Sequence, residues 1–488
     1  MAKENGGVIG IINTPTSTTA SGVWALQDQY EAKRNSNWPL TPFVSPYSAR
    51  FNSGSSDNLT RTPATTGTSR RIMTFSFWTK RSGFETTNAY RLFSTFYGGG
   101  ASQFWIRFAD SGEGINKISI ASYDSGFSLN LITTQVFRDI SAWYHFVISF
   151  DTTQATSSNR VKMYVNGEQV TSFSTATYPS QNYDLQWNVT QPNQIGGNAV
   201  SANEFYNGYF SEIYFIDGQA LTPSSFGASN ASGVWYPIPY TGSYGTNGFY
   251  LKFGNASSLG TDSSPNGNNF TVNNLTSVDQ STDSTLNNFC TLNPLDINAM
   301  TLTEGNLASA SVGATWKSAR ATFGISKGKW YWEMKATASA SSYDAQIGVG
   351  LFSLAIASYP EWNSANPSVV YSAGDGSKWL NGVNSSYGAS YTVGDIIGVA
   401  FDADALTVTF YKNGTSQGTI TTSWSVDTYA LQVAFYGRSG GTTSGSFNFG
   451  SPPYAANGYA DGAGYGNFSY AVPSGYYALC TANLNTYG

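Results

Sequence analysis

The sequence predicts an all-β protein made of two antiparallel β-sandwiches, preceded by an N-terminal arm that contains one short helix. Two hairpins carry this prediction. In residues 394–414, Ile397, Val399 and Phe401 alternate with smaller or polar neighbours, and an Asn-Gly turn closes the unit. Residues 143–167 repeat this pattern and also end in Asn-Gly. Only 11% of the residues are charged, whereas Gly, Ser, Thr and Asn are abundant, which is typical of a β-protein with many turns.

Strand spacing and composition divide the chain into five segments. Each sandwich is predicted from short strands that are bounded by Gly, Asn, Asp or Ser and have no helical pattern between them. The segments are the N-terminal arm (1–66), a first sandwich (67–228), a Gly/Asn-rich connector (229–290), a second sandwich (291–452) and a C-terminal Gly/Tyr-rich segment (453–488).

The arm is predicted to attach the chain to another protein. Ser21 is placed to cap a helix, on which Val23, Leu26 and Tyr30 recur at helical spacing beside Trp24. A helix this short is marginal alone, so its apolar stripe has to pack on the chain's own domains or on another subunit. We interpret Val23, Trp24, Leu26 and Tyr30 as anchor residues.

The first sandwich resembles a known family. The order FSFWTK, WYHFVISFD, VKMYVNGEQV, IGG and FYNGYFSEIYFIDGQALTP is similar to the laminin-G-like branch of the concanavalin-A-like jelly rolls. In that family the last element packs as an inner strand beneath the sheet, which the resemblance assigns here to residues 208–216. The resemblance covers most of the segment.

In the second sandwich, strand-like segments follow one another at residues 328–333, 347–351, 394–402, 406–414 and 447–450. Over most of its length this order resembles a SPRY domain. The extra N-terminal subdomain of many animal SPRY proteins is not evident. The resemblance implies a second jelly roll that recognises a partner through variable loops, and it does not say which partner.

The sequence offers no catalytic constellation, and we expect a protein that is not an enzyme. His145 is the only histidine, so every His-dependent nucleophilic system would have to use it. Glycosidases of the jelly-roll type need two carboxylates about 5 Å apart, yet Glu212 and Glu333 each stand alone among aromatics. We interpret His145 as structural or surface-exposed and the two glutamates as isolated acids.

A cofactor is not expected, although calcium stays open. Laminin-G-like domains often hold Ca²⁺ at a rim, and Asp110 with Glu113, or Asp151, could contribute oxygen ligands. The two cysteines, Cys290 and Cys480, are too few for a disulfide framework or a zinc site. Their similar settings suggest that the flanks of the second sandwich lie side by side, with two buried thiols as the interpretation and a disulfide as the alternative.

Aromatic side chains are the remaining candidates for a binding site. The chain has 13 Trp and 32 Tyr, more than two cores need. Five of them fall in or near predicted loops, where a sugar or a protein could meet them: Trp105, Tyr123, Trp187, Trp362 and Trp379. Each could instead pack under its own loop.

Taken together, the chain looks like a structural appendage protein of a bacteriophage, particularly of marine phages. The opening, NTPTSTTASGVWALQDQYEAK, and the connector, YGTNGFYLKFGNASSLGTDSSPNGNNFTV, are similar to such virion proteins. The resemblance implies a tail fibre or similar element that binds a host-surface glycan or protein and contacts other virion proteins through its arm. We also expect a homo-oligomer, for which a trimer is one arrangement.

Other functions and partners are weighed against this hypothesis. The alternatives are a non-adhesive structural subunit, such as a capsid fibre, a decoration protein or a tail-assembly protein, and a polysaccharide depolymerase. A net charge of −5 without a run of Lys or Arg favours neither nucleic acid nor membrane insertion. Because the start lacks the pattern of a secretory signal, we expect synthesis in the host cytoplasm and assembly into the virion.

Overall fold

The computed structural model describes residues 46–84, 88–97, 102–198, 204–230, 232–339, 343–353, 356, 367–425, 427–437 and 441–488. These residues fall into two compact units. Residues 46–223 and 243–488 form the larger unit, and residues 224–242 belong to the smaller one. Strands hold 46% of the residues and helices 4%, which confirms the predicted all-β class. In the described ranges no helix is long and apolar enough to cross a membrane.

The first sandwich places two eight-stranded sheets around one core. Sheet 1 contains β1 (Ser48–Phe51), β3 (Ile72–Arg81), β8 (Tyr144–Asp151), β9 (Val161–Val165), β10 (Glu168–Val170), β13 (Gly208–Asp217), β16 (Phe249–Leu251) and β18 (Gln280–Ser281). Its order is β10-β9-β8-β3-β13-β1-β18, with β16 also paired to β13. Sheet 2 contains β2 (Asn58–Arg61), β4 (Tyr90–Tyr97), β5 (Ser102–Phe108), β6 (Ile118–Asp124), β7 (Phe127–Thr133), β11 (Phe173–Thr177), β12 (Asn193–Ile195) and β17 (Thr271–Asn273). Its order is β11-β7-β6-β5-β4-β12-β2-β17.

The second sandwich has the same two-layer plan. Sheet 3 contains β19 (Leu292–Asn298), β22 (Trp316–Ala321), β24 (Ala345–Leu351), β25 (Ser368–Ser372), β26 (Lys378–Leu380), β27 (Val383–Ser385) and β31 (Tyr429–Tyr436). Its order is β19-β22-β31-β24-β25-β26-β27. Sheet 4 contains β20 (Thr301–Thr303), β21 (Ala308–Val312), β23 (Lys329–Ala338), β28 (Ile396–Asp402), β29 (Thr407–Lys412), β30 (Thr415–Thr421), β32 (Thr442–Asn448) and β33 (Tyr477–Ala478). Its order is β20-β21-β32-β23-β28-β29-β30, with β33 parallel to β23.

A few short elements complete the described chain. In the smaller unit, β14 (Gly227–Ser229) pairs with β15 (Trp235–Pro237). The helix α1 spans Thr481–Tyr487. Single 3₁₀ turns cover Ser157–Asn159, Pro223–Ser225 and Ser277–Asp279.

Both predicted hairpins are confirmed. Strands β28 and β29 pair in register, and Val399 of the first faces Phe410 of the second. The turns that follow are built as their sequences require. Asn166 and Gly167 have φ of 48° and 88°, and Asn413 and Gly414 have φ of 50° and 78°. A type I′ turn needs positive φ at both central positions, which Asn-Gly adopts at little cost.

The first sandwich extends beyond the predicted bounds of 67–228. Strands β1 and β2 come from the segment predicted as an arm, and β16, β17 and β18 come from the segment predicted as a connector. Ser48 lies opposite Ser281 in the register of β1 and β18. The element expected beneath the sheet is β13, which instead lies within sheet 1 between β3 and β1. The predicted helix and its anchor residues, Val23, Trp24, Leu26 and Tyr30, lie outside the described residues.

The C-terminal segment packs on the outer face of sheet 4. Glu333, which projects from β23, accepts backbone N–H groups of Ser469 and Tyr470 and the side-chain amide of Asn448. Phe468 packs against Tyr331 with ring centroids 5.1 Å apart. Because a buried carboxylate needs several donors, Glu333 fixes this segment on the sheet.

The two cysteines are free thiols, and their flanking segments lie side by side as predicted. Phe289 lies opposite Cys480, and the Cys290 N–H donates to the carbonyl of Leu479. Side chains alternate along paired strands, so Cys480 joins the cluster of Phe289 while Cys290 joins the main core with Leu479. The two sulfurs therefore point to opposite sides of the ladder.

Two buried cations join the sandwiches within the larger unit. Lys80 of β3 lies 2.8 Å from Asp283 and 3.1 Å from the carbonyl of Phe289, in the segment that leads into the second sandwich. Arg50 of β1 contacts Asp279 at 3.1 Å and Glu304 of the second sandwich at 3.6 Å. The linkage is therefore ionic and buried rather than a flexible tether.

Candidate functional site

The candidate site lies on the outer face of sheet 3. Ile347 and Val349 of β24 point into the core of the second sandwich. Because side chains alternate across a strand, Gln346 and Gly348 point outward. Gln346 lies opposite Ser372 of β25. Gly348 lies opposite Val370 of β25, which in turn lies opposite Trp379 of β26, so these three residues form one row across the strands. The outer face thus presents Ser372, Gln346 and Gly348 in adjacent rows, with Trp379 at the end of the row of Gly348.

A cleft of about 430 Å³ occupies this face. Its lining includes two tryptophans, two aspartates and two uncharged polar side chains: Trp316, Asp344, Gln346, Ser372, Asp375 and Trp379. Trp316 stands on β22 at one side, where its ring packs 5.6 Å from that of Tyr436. Trp379 stands at the other side and is half-buried. The volume lies within the range of small-ligand sites.

The polar groups of the cleft are incompletely satisfied by the protein. Gln346 is 3% exposed, yet its Oε1 has no hydrogen-bond partner, and the Oγ of Ser372 next to it also has none. A buried acceptor without a donor is costly, and native proteins keep few of them. Among the described residues that line the cleft there is no lysine or arginine. The arrangement can accept hydrogen bonds from a ligand that also packs on tryptophan.

Of the predicted ligand-binding aromatics that the structure describes, Trp379 alone lines this cleft. Trp362 lies outside the described residues. Tyr123 is half-buried at the end of β6, where its ring meets Phe127 edge-on at 5.2 Å. Trp187 lies in a loop, but its side chain is fully buried against Phe75, so it offers no face to a ligand.

Trp105 lies on strand β5, within sheet 2, and is almost fully buried. The guanidinium groups of Arg91 and Arg107 lie over its ring at 4.9 and 5.0 Å. Glu204 pairs with both, at 2.5 Å from Arg91 and 3.5 Å from Arg107. This is a compact cation–π and ion-pair cluster, in which the ring faces are already occupied by the protein's own side chains.

The isolated acids have structural partners. Glu212 has φ of 51° at a bulge of β13, and its carboxylate accepts the hydroxyls of Tyr214 and Tyr250. Glu333 accepts hydrogen bonds from the C-terminal segment. Burial raises the pKa of Glu333, while the N–H donors of Ser469 and Tyr470 oppose that rise. Neither glutamate lines the cleft on sheet 3.

The acids considered for calcium are likewise engaged with the protein. Glu113 lies 2.9 Å and Asp110 lies 3.8 Å from Arg107, and Asp151 accepts the hydroxyl of Thr153. Across the described ranges, no group of three or more His, Cys, Asp or Glu side chains is arranged to hold a metal ion.

His145 is buried on sheet 1. It stacks on Trp78 at 4.8 Å, and its Nε2 lies 2.8 Å from the hydroxyl of Ser76. Burial lowers the pKa of His145 to about 3. An unfolded histidine titrates near pH 6.5, so the folded state holds His145 neutral at pH values where the unfolded chain is protonated.

This difference predicts a pH-dependent stability. The contribution of neutral His145 is fully present above pH 6.5 and falls as the pH drops toward 3, by about 1.4 kcal/mol per pH unit. Between pH 7 and pH 5, we expect the free energy of unfolding of the wild type to fall by about 2 kcal/mol more than that of His145→Gln. Urea unfolding at both pH values measures the difference.

Comparison with the variant isolates the histidine from other groups. Asp57 has its pKa raised to about 6, mainly by burial, so its contribution has the opposite sign and grows as the pH falls below 6. Asp57 is unchanged in the variant, so its contribution cancels. Identical pH dependence of the two proteins would contradict the assignment of His145 as a buried neutral group.

Trp316, Gln346 and Asp375 of the cleft were not predicted from the sequence. A signal for Gln346 was present in AQIGVGL, where Gln and Gly alternate with Ile and Val. This alternation marks one face of the strand as polar and free of large side chains. Trp316 and Asp375 carry no comparable signal, because only the order of the strands brings them to the same face.

Each sandwich matches a known family model. Residues 53–225 match the family model of the concanavalin A-like lectin/glucanases superfamily, and residues 329–452 match that of the SPRY domain. No curated protein matches the chain.

Solved structures with similarity to the chain include two human SPRY domains. That of human HERC1 is 19% identical, with 32% of this chain and 96% of that chain covered and a TM-score of 0.28. A second human SPRY domain is 15% identical, with coverages of 33% and 99% and a TM-score of 0.26. The stonustoxin structure is 19% identical, with coverages of 33% and 27% and a TM-score of 0.26. From the two family matches, the chain carries a concanavalin A-like domain followed by a SPRY domain.

Proposed function

We propose that this chain is a bacteriophage virion protein, a tail fibre or similar appendage, whose sandwiches bind a ligand on the host surface. The observation that carries the binding role is the cleft of sheet 3, with Trp379 at its wall and the unpartnered Gln346 in its lining. Domains of these two kinds often bind ligands or proteins. The virion role is supported by the similarity of residues 13–33 and 244–272 to phage appendage proteins.

The main alternative is a structural subunit that contacts only other virion proteins. Mass spectrometry of purified virions that encode this chain tests the virion role directly, and we expect the protein among the particle components. Absence from the particle would overturn that role. Binding of the full chain to host cells then separates an adhesin from a non-adhesive subunit.

Replacement of Trp379 by alanine is expected to weaken binding to host cells about tenfold or more. An aromatic side chain that packs on a ligand commonly contributes about 2 kcal/mol or more, and since about 1.4 kcal/mol corresponds to a tenfold change, the loss should be at least tenfold. The measurement is saturation binding of the labelled full chain to cells of the host bacterium.

The matched control is Tyr459→Ala, which removes an aromatic that is 47% exposed and lies on the C-terminal segment, away from the lining of the cleft. The control should bind as the wild type does. If Trp379→Ala also bound with unchanged affinity while remaining folded, the cleft would not be the adhesion site.

A depolymerase remains the weaker candidate, and the same assay addresses it. Asp344 and Asp375 both line the cleft, and a glycosidase uses one carboxylic acid and one carboxylate. Release of oligosaccharide from host polysaccharide during the binding assay would favour the enzyme. We expect binding without release.

A further inference from the structure

We infer that the cleft of sheet 3 binds an oligosaccharide made of neutral or amino sugars and rejects acidic sugars. The inference rests on the proposed binding function and adds the chemical class of the ligand. It follows from the walls of the cleft, from its hydrogen-bonding groups and from its charge.

The walls are suited to sugar rings. Trp316 on β22 and Trp379 on β26 are separated by four strand intervals, through β31, β24 and β25. Four intervals of about 4.8 Å span roughly 19 Å across the strands. The register also offsets the two residues along the strands, because Trp316 pairs with Tyr436 whereas Trp379 lies in the row of Val370 and Gly348, so the tryptophans stand farther apart than this. A flat aromatic surface packs against the apolar face of a pyranose, and two such surfaces at this distance fit a chain of rings better than a single one.

The cleft contains acceptors that the protein leaves without a donor. The Oε1 of Gln346 and the Oγ of Ser372 have no hydrogen-bond partner, and the carboxylate of Asp375 can only accept when ionised. Asp375 accepts the N–H of Ser377 through one oxygen at 3.0 Å. A ligand that brings several donors, such as the hydroxyls of a sugar or the ammonium of an amino sugar, satisfies these acceptors.

The charge of the cleft disfavours anionic ligands. Asp375 lines it, and no described lining residue is a lysine or arginine that could pair with the carboxylate or sulfate of a ligand. A uronic acid, a sialic acid or a sulfated sugar would place like charges together in a partly desolvated site, which is unfavourable. A neutral ring meets no such repulsion, and an ammonium group is attracted.

Gln346→Leu separates this role from a structural one. Leucine removes the unpartnered acceptor at nearly constant volume, so the folded protein should resist urea at least as well as the wild type does. Glycan binding should nevertheless fall about tenfold, because the ligand loses a buried acceptor. If Gln346 only stabilised the fold, the substitution would lower the resistance to urea and leave glycan binding unchanged.

Gly374→Val is a second variant, which fills part of the cleft without removing a hydrogen-bonding group. Gly374 also lines the cleft, and a Cβ at this position would meet only the Oδ1 of Asp344, at 3.9 Å. A larger side chain there can project into the cleft without disturbing the fold. We expect it to block binding at least tenfold, with an unchanged unfolding midpoint.

The experiment is a glycan array probed with the full chain, using length-matched oligomers of neutral hexoses, glucosamine and uronic acids. We expect retention on neutral or amino oligomers, none on uronic acids, and loss in both variants. Retention only on uronic acids, or unchanged binding by Gln346→Leu, would overturn the inference and leave the adhesion function intact. Cell binding that survives periodate oxidation of surface glycans but not protease treatment would also overturn it. Absence of binding to any glycan and to host cells would remove the proposed binding function as well.

Discussion

Lys80→Met is expected to lower the free energy of unfolding by about 3–5 kcal/mol, since it leaves a buried carboxylate without its cation. Lys80 and Asp283 are both about 2% exposed, and the ammonium also binds the side-chain oxygen of Asn288 and the carbonyl of Phe289. Methionine has a similar length but supplies no donor. Urea unfolding followed by tryptophan fluorescence measures the loss.

The matched control is the double variant Lys80→Met/Asp283→Asn. The second substitution removes the stranded charge, and the asparagine oxygen can still accept from the indole N–H of Trp143, which lies 3.2 Å from Asp283. We expect the double variant to recover part of the stability, because removing one partner of a buried pair costs more than removing the charge of both. Equal loss in the single and double variants would mean that the ion pair is not the source of the effect.

Trp187→Ala is expected to lower the free energy of unfolding by about 3–5 kcal/mol, the usual cost of truncating a fully buried large aromatic. The indole packs against four phenylalanines, with ring centroids at 5.0 to 6.4 Å: Phe75, Phe93, Phe104 and Phe215. Alanine leaves a cavity that the surrounding sheets cannot close. Urea unfolding of the full chain measures the change.

Two further substitutions serve as controls for Trp187→Ala. Trp187→Phe keeps an aromatic ring in the core and should cost clearly less than alanine does. Trp379→Ala removes a half-buried tryptophan from the cleft and should change stability little, as is usual for surface positions. A destabilisation by Trp379→Ala as large as that by Trp187→Ala would contradict the placement of one tryptophan in a core and the other in a binding site.

The features that local patterns specify were predictable from the sequence. The hairpin of β28 and β29 follows from alternating apolar residues, and the Asn413-Gly414 turn follows from the positive φ that only a few residues adopt readily. The pairing of the segments around Cys290 and Cys480 was also anticipated, from their similar surroundings.

The added strands of the first sandwich were not predictable in the same way. Strands β16, β17 and β18 have only two or three residues each, too few to show an alternation. Their pairing depends on partners that are remote in the chain, such as Leu59 of β2 opposite Val272 of β17. The helix α1 was missed as well, since Thr481–Tyr487 is short, uncharged and rich in poor helix formers.

The site could be anticipated only in part. Trp379 was selected because it lies in a turn-rich stretch, and it does line the cleft. Trp187 was selected for the same reason, but its loop turns inward and the indole completes the core. Sequence position alone cannot separate these cases, because burial of a loop tryptophan depends on which sheets enclose it.

The remote pairing of β1 delays the completion of sheet 1 during synthesis. The hydroxyl of Ser48 bonds to the carbonyl of Asp283, which is 235 residues further along the chain. At about 5–20 residues per second, β1 waits roughly 10–50 s for its last partner to be synthesised. During that interval β1 keeps at least one edge unpaired, and that edge can pair with another nascent chain. The yield of native protein is therefore expected to depend on translation speed and on chaperones that shield the unfinished sheet.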